Sequence, residues 1–279
     1  MKPRDARISR VAPDPRTGSP PEDAGSSVLA RAGQFVDHCL RDFPAMAADE
    51  QYEQHVRREL PWRDILFRDR VMRSRLLLVR TPSLDEAWVP FRDVFEVDGV
   101  AVTDWDHRLE AAFAQAPEAA VKEATAINEL GLRFHIGTLS RGTISPMLPL
   151  MFLQAEYRGR FKFEPRGQEK VEGLPAQRID YVEQAQPTLV TASRDTARDV
   201  RSQGSFWIEP ATGRVLKATI VWDEGLFLKT EIAVSYQSTG LAGFPVLVKE
   251  TYSTLSASGL LIEATARYSD FRRIPVPGK

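Results

Sequence analysis

The 279-residue chain has one cysteine, Cys39, so it can form neither an internal disulfide framework nor a thiolate metal site. A single thiol suits the cytoplasm and the bacterial periplasm equally. Long hydrophobic runs are missing as well. The longest nearly apolar stretch, Pro146 to Leu153, is far below the ~20 residues of a membrane-crossing helix, so no transmembrane segment is expected. Charge of one sign is also lacking. The net value is −1, which leaves no electrostatic footprint for a polyanion, and nucleic acid is not an expected partner. The arginine-rich stretch from Arg63 to Pro82 alternates its cations with apolar residues, as a solvated strand face does, with little aromatic interleaving. Catalytic signatures are missing: there is no Gly-x-Ser-x-Gly, Gly-x-Gly-x-x-Gly, phosphate loop or His-Glu-x-x-His. His38, His55, His107 and His135 sit on different elements with no second ligand at helical spacing. Asp49, Glu50 and Glu53 form the densest acidic cluster, but on a strand Asp49 and Glu53 share one face while Glu50 points away. No catalytic residue, metal or cofactor is therefore assigned.

What is present is a folded-protein composition, 43 % hydrophobic and 27 % charged. The Pro-, Asp-, Gly- and Ser-rich start holds no run of ~7–15 apolar residues, so it does not read as a secretory signal. Residues 1–25 are expected to be a disordered tail, followed by a single domain over 26–276.

The chain is organised around Gly204 to Phe271. Two alternating segments flank Pro210-Ala-Thr-Gly213, where Pro presets the first turn position and Gly the left-handed last one. If those four residues are the loop, Glu209 opposes Arg214 and Trp207 lies beside Leu216. Taking Asp223-Glu-Gly225 as a three-residue loop sets Trp222 against Leu226, Ile220 against Leu228, Ala218 against Thr230 and Leu216 against Ile232. A dry face then holds Trp207, Leu216, Ala218, Ile220, Trp222, Leu228, Ile232, Val234 and Tyr236. Lys217, Thr219, Lys229, Glu231 and Ser235 form a wet one.

Upstream, Ser26 or Ser27 is placed to cap a helix with Leu29, Ala32, Val36, Cys39, Leu40 and Phe43 at helical spacing, ended by Pro44. Ala45 to Arg58 reads as an edge-like strand, and Ala87–Phe91 and Val94–Val97 as two short strands turned at Asp98-Gly99. A helical block follows from Thr103, broken or kinked at Pro117. Ser145 and Pro146 suit the start of a short helix that is apolar all round and needs burial on every side. Helices placed between strand groups cover the dry face of the sheet.

The order of elements, with Asp93-Val-Phe-Glu-Val-Asp-Gly99 and Phe206-Trp-Ile-Glu-Pro-Ala-Thr-Gly-Arg-Val-Leu216 as its motifs, resembles the half-barrel carriers that sort lipoproteins to the bacterial outer membrane (LolA/LolB-like) and related uncharacterised exported bacterial proteins. The likeness covers roughly Val28 to Ile274. It implies an α+β fold in which a strongly curved antiparallel sheet, a half-barrel, is wrapped around or packed on helices. It also implies an exported, periplasmic setting and an apolar or acylated ligand, a lipid or the acyl chains of a lipoprotein. None of that family's ligand residues has a matching motif here. From this chain's own pattern, the expected ligand-facing residues are Trp207, Ile220, Trp222 and Ile232 on the sheet and Met147, Met151 and Phe152 on the cover, since flexible Met repacks around variable chains. The alternatives are a scaffold or interaction module with a filled core, and a hydrolase whose residues meet only in three dimensions.

Overall fold

Alternating apolar and polar residues build a meander of β10 (Gln203–Ile208), β11 (Val215–Asp223) and β12 (Lys229–Tyr236). The computed structural model describes residues 6–8, 24–43, 45–60, 63–80, 88–103, 108–113, 117–136, 145–193, 197–225, 228–238, 240–254 and 259–274. Ala218, Ile220, Trp222, Ile232, Val234 and Tyr236 are buried, while Lys217, Thr219, Lys229, Glu231 and Ser235 are not.

The expected faces hold on β11 and β12, but the expected registers do not. The turn forms as predicted: Gly213 has φ +77°, Glu209 N donates to Arg214 O at 2.8 Å and Gly213 N to Glu209 O at 2.9 Å. Just beyond it a β-bulge intervenes. Ile208 pairs with Val215 and Trp207 with Lys217, leaving Leu216 as the extra residue. The predicted Trp207–Leu216 pair is therefore wrong, and the slip of one residue turns Trp207 to the opposite face. The second loop is longer than read, closing with Glu224 N on Leu228 O at 2.8 Å. Ile220 pairs with Ile232 rather than Leu228, Trp222 with Thr230, and Ala218 with Val234. That displacement is an even number of residues, so the faces survive. Leu226 lies outside the described residues.

The chain's contacts divide into two compact units, one from Phe43–Ser145 and Lys249–Lys279, the other from Ala6–Asp42 and Pro146–Val248. The first contains β2 (Ala45–Leu60), β3 (Arg63–Val79), β4 (Val89–Val97), β5 (Val100–Ala101), β14 (Leu260–Arg273), α2 (Arg108–Phe113) and α3 (Pro117–Leu132). β2 is an interior strand, paired with β3 on one side and β14 on the other. It is not edge-like, because its second neighbour arrives some two hundred residues later in sequence. The two short strands expected at 87–97 are one, β4. Pro117 opens α3 instead of kinking a longer helix, since the first turn needs no N–H from it. Leu109 and Phe113 of α2 and Ala120, Ala124 and Ile127 of α3 pack with Ala45, Ala47, Leu77, Val79 and Phe91.

The second unit contains α1 (Ala24–Asp42), α4 (Leu148–Met151), α5 (Ala155–Arg158), β6 (Phe161–Val171), β7 (Leu174–Glu183) and the meander. A separate small sheet joins β1 (Ala6–Ile8), β8 (Val190–Ser193) and β9 (Ala197–Val200). β1 falls within the expected N-terminal tail; residues 1–5 and 9–23 lie outside the described part. β13 (Pro245–Ser253) contributes residues to both units.

The large sheet has eleven strands in the order β5-β4-β3-β2-β14-β13-β12-β11-β10-β7-β6 and is not closed. With its helices this is the expected α+β class, built on one large open antiparallel sheet.

Candidate functional site

The apolar face of the second unit is built by the period of two. Phe206 and Ile208 of β10 are fully buried, and Phe206 pairs with Ile179 and Gly204 with Tyr181 on β7. Beside them lie Ala218, Ile220 and Trp222 of β11 and Ile232, Val234 and Tyr236 of β12. Every residue from Met147 to Leu153 is buried, as a segment apolar on all sides requires. Phe152 packs its ring 4.6 Å from Phe161 and 5.6 Å from Tyr181. The Tyr236 hydroxyl donates to Pro146 O at 3.1 Å.

This plug is weakly self-supported. α4 is four residues long, and Met147, not Ser145, occupies its N-cap without a side-chain hydrogen bond. Its backbone bonds are of the tight i→i+3 kind: Leu150 N to Met147 O at 3.1 Å, Phe152 N to Pro149 O at 3.2 Å and Leu153 N to Leu150 O at 3.1 Å.

α1 closes over the loops of the meander. A Cβ on Gly213 would stand 2.5 Å from the carbonyl carbon and oxygen of Arg31 and 2.8 Å from Ala32 N, so the loop rests on helix backbone. Arg31 Nε donates to Pro210 O at 2.9 Å. Gly204 marks a second close approach, where a Cβ would stand 2.0 Å from Thr219 O. The Tyr181 ring stacks on Phe206 at 4.8 Å and its hydroxyl donates to Thr219 O at 2.8 Å. One side chain from β7 thus reaches past β10 to β11.

Six of the seven residues expected to face a ligand, Ile220, Trp222, Ile232, Met147, Met151 and Phe152, are buried side chains of this unit. Trp207 is not among the buried. It is half-exposed, donates from Nε1 to Glu169 Oε2 at 2.6 Å, and has Lys217 Nζ 4.7 Å and the Arg178 guanidinium 5.5 Å from its ring. Phe206 occupies the place assigned to it. Sequence reasoning missed Phe206, Ile179, Tyr181 and Phe161. The signal for the first was present: Ser205 and Glu209 share Trp207's parity, and two polar neighbours mark an outward row.

A buried polar brace adjoins the apolar face. Glu183 is fully buried and accepts from Leu189 N at 2.8 Å and Ser202 N at 3.4 Å, with Arg160 Nε at 3.5 Å. Burial pushes its carboxyl above the ordinary carboxylate range despite these partners. Ser202 Oγ accepts from Trp222 Nε1 at 2.9 Å, tying the tryptophan to the brace. On the opposite face of the strands a groove of about 390 Å³ is lined by Lys162, Glu164, Arg166, Asp180, Ser205 and Thr219. Its charges are mutually engaged: Glu164 meets Lys162 and Arg166 at 2.8 Å, and Asp180 accepts from Arg166 Nε at 2.7 Å and Ser205 Oγ at 2.6 Å.

Beside its apolar cluster, the first unit also buries a group of polar side chains. Glu50, Gln54, Ser74, Arg92 and Glu250 are buried there. Arg92 Nε donates to both oxygens of Glu50 at 3.1 and 3.2 Å, and Ser74 Oγ to Glu50 Oε1 at 3.3 Å. Glu250 Oε2 accepts from Tyr52 at 3.3 Å and Tyr252 at 3.0 Å. Gln54 pairs with the backbone of Ile136 in both directions, Nε2 to O at 2.8 Å and N to Oε1 at 2.9 Å. Glu50 does point away from Asp49 and Glu53, as its strand parity predicts, but its meeting with Ser74 of β3 and Arg92 of β4 is a tertiary fact. Among the described residues no three His, Cys, Asp or Glu side chains are arranged to hold a metal ion, and no helix is long and apolar enough to cross a membrane.

No protein-family model matches the chain, and no curated protein does. Solved structures do match. One is a domain described as an outer membrane lipoprotein-sorting protein from Vibrio parahaemolyticus, with 12 % identity, TM-score 0.39, and coverage of 90 % of this chain and 93 % of that one. A LolA superfamily protein from Nitrosomonas europaea matches at 11 % identity and TM-score 0.29, over 88 % of this chain and 94 % of that one. The lipoprotein LppX of Mycobacterium tuberculosis matches at 12 % identity and TM-score 0.29, over 91 % and 98 %. At such scores the likeness adds nothing to what the strand order itself shows. Over about nine-tenths of its length the chain is similar to lipoprotein-sorting and LolA superfamily structures.

Proposed function

We propose that this protein binds and carries, without catalysis, an apolar or acylated ligand on the dry face of its second unit. A lipid or the acyl chains of a lipoprotein would be such a cargo. The observation that supports the reading is the pairing of a largely apolar sheet face with a cover that has little hold of its own. Met147, Leu148, Leu150, Met151 and Phe152 are all buried in that cover, and at about 1.5–3 kcal/mol each their burial stabilises the plugged form by about 8–15 kcal/mol. An acyl chain of about 15 methylenes gains about 12 kcal/mol at ~0.8 kcal/mol per CH₂. The two are of one size, so a chain can displace the plug and the plug can return. That balance suits a carrier that must both load and release.

A second reading, a scaffold with a filled core, draws on the same burial, with Phe152 at 0 % and Ile220 at 1 % exposure. Uptake of a fluorescent fatty acid separates them. The wild-type protein should bind the probe, Met151→Glu should abolish uptake with a native far-UV spectrum, and Trp207→Ala, on the outer face, should leave it unchanged. No uptake by the wild type removes the carrier reading and leaves the scaffold. The hydrolase alternative has the buried polar group of the first unit as its candidate site.

A further inference from the structure

Arg92 poses a problem that its neighbours leave unsolved. Its side chain is 7 % exposed, and Glu50 engages it only through Nε. Nη1 and Nη2 are buried and have no hydrogen-bond partner. Taking a guanidinium out of water costs several kcal/mol, and each buried donor left unmade adds about 1–3 kcal/mol. A fork of this kind persists where something accepts from it.

Arg92 also lines a small, partly open space of about 10 Å³, together with Glu50, Ser74, Asn128 and His135 and the apolar Met72, Val94 and Leu132. That volume is the threshold for one water-sized guest; its walls are largely apolar, so the partners such a guest requires are the fork's own two donors and the polar side chains of Glu50 and Ser74 that also line the space. We propose that Arg92 Nη1 and Nη2 hold a single water-sized hydrogen-bond acceptor, either a water molecule or a monatomic anion, between β4 and the C-terminal part of α3. The space is too small for a carboxylate or phosphate. Glu50 already balances the guanidinium charge, which favours water, because a halide would leave the chamber with a net negative charge. Asn128 helps to fix the site, since its Oδ1 accepts from the backbone N–H of Arg92 at 3.0 Å and so ties α3 to the strand that presents the fork.

One consequence rests on the carrier reading. A hydrated ion pair makes the space beside Arg92 inhospitable to an acyl chain, so apolar cargo is confined away from it, to the second unit's face.

The test is a high-resolution crystal structure of the full chain, native and soaked in sodium bromide. A peak within hydrogen-bond distance of both Nη atoms, about 2.7–3.2 Å, is expected. Without anomalous bromine signal it is water; with that signal it is a halide, and either result supports the site. An empty chamber, or both Nη atoms bonded to protein acceptors, overturns it. In solution, Arg92→Lys keeps a cation opposite Glu50 but lacks the fork. Oxygen-17 relaxation dispersion should show one fewer long-lived water in that variant than in the wild type at low halide, and an equal count overturns the water assignment. Fatty-acid uptake by Arg92→Lys should match the wild type, and loss of uptake would overturn the confinement of cargo while leaving the crystallographic result to stand by itself. If the wild type takes up no probe at all, the carrier reading fails and the site remains.

Discussion

Replacing Gly213 by Ala should destabilise the protein far more than the same change at Gly173, although both glycines have left-handed backbones, with φ of +77° and +84°. At Gly173 a new Cβ meets nothing within 4 Å, so only the conformational strain of about 1–2 kcal/mol applies. At Gly213 the Cβ lands 2.5 Å from the backbone of Arg31. Helix backbone cannot swing aside as a side-chain tip does, so the loop or α1 must move, at an overpacking cost of about 1–3 kcal/mol. That movement also stretches the Arg31–Pro210 bond of 2.9 Å, worth about 0.5–1.5 kcal/mol. The sum is about 2.5–6.5 kcal/mol for Gly213→Ala against about 1–2 for Gly173→Ala. With a urea slope of about 1–3 kcal/mol per M, the midpoint of the first variant should lie about 0.5 M or more below that of the second. Equal midpoints would mean that α1 does not rest on the loop, and the packing argument for this corner would be wrong.

Other outcomes follow from the same contacts. Gln54→Ala strips two bonds from the backbone of Ile136 at a site 1 % exposed; it should cost about 2–4 kcal/mol through the stranded N–H and C=O, with faster amide exchange at Ile136 as the local readout. Burial raises the folded pKa of Glu183, so its contribution is fully present below the ordinary carboxylate range and is lost as pH rises through the elevated folded value. Urea midpoints of wild type and Glu183→Gln, compared from acid to neutral pH, should therefore shift steadily in the variant's favour; a shift the other way would show that its hydrogen bonds outweigh desolvation. Cys39 is buried, with its thiol pushed up to about 11, so an aromatic disulfide reagent at pH 8 should label the native protein slowly and the urea-unfolded protein at once.

The local chemistry of the fold was legible in the residues themselves. Pro210 and Gly213 named their own turn, the parity of Ala218, Ile220 and Trp222 named the dry side of β11, and a segment without a polar face announced the buried Pro146–Leu153. What could not be read depends on one extra residue or on distant neighbours. The bulge at Leu216 has no signature, because Val215 and Leu216 are both apolar and either could face inward, and that single residue decided the side of Trp207. β2 looked like an edge because nothing in Ala45–Arg58 indicates that β14 will pair with it. The Glu50–Arg92 pair was invisible for the same reason: two charges on strands far apart in sequence look like solvent-facing residues until the strands are assembled. Glu50's inward parity was the clue, and its partner was not.

The reach of Tyr181 past Gly204 to Thr219 has a meaning for how the sequence can vary over time. The phenol needs the missing side chain at 204 to find its acceptor, and the gap at Gly204 is filled by that ring. Neither residue can be exchanged first without loss: a side chain at 204 collides with β11, and a smaller residue at 181 leaves bare backbone beneath it. The two positions therefore form one heritable unit, open to change in either only when the other has already been relieved. In a set of related sequences they should vary together or not at all, and a lineage that keeps tyrosine at the first should keep glycine at the second.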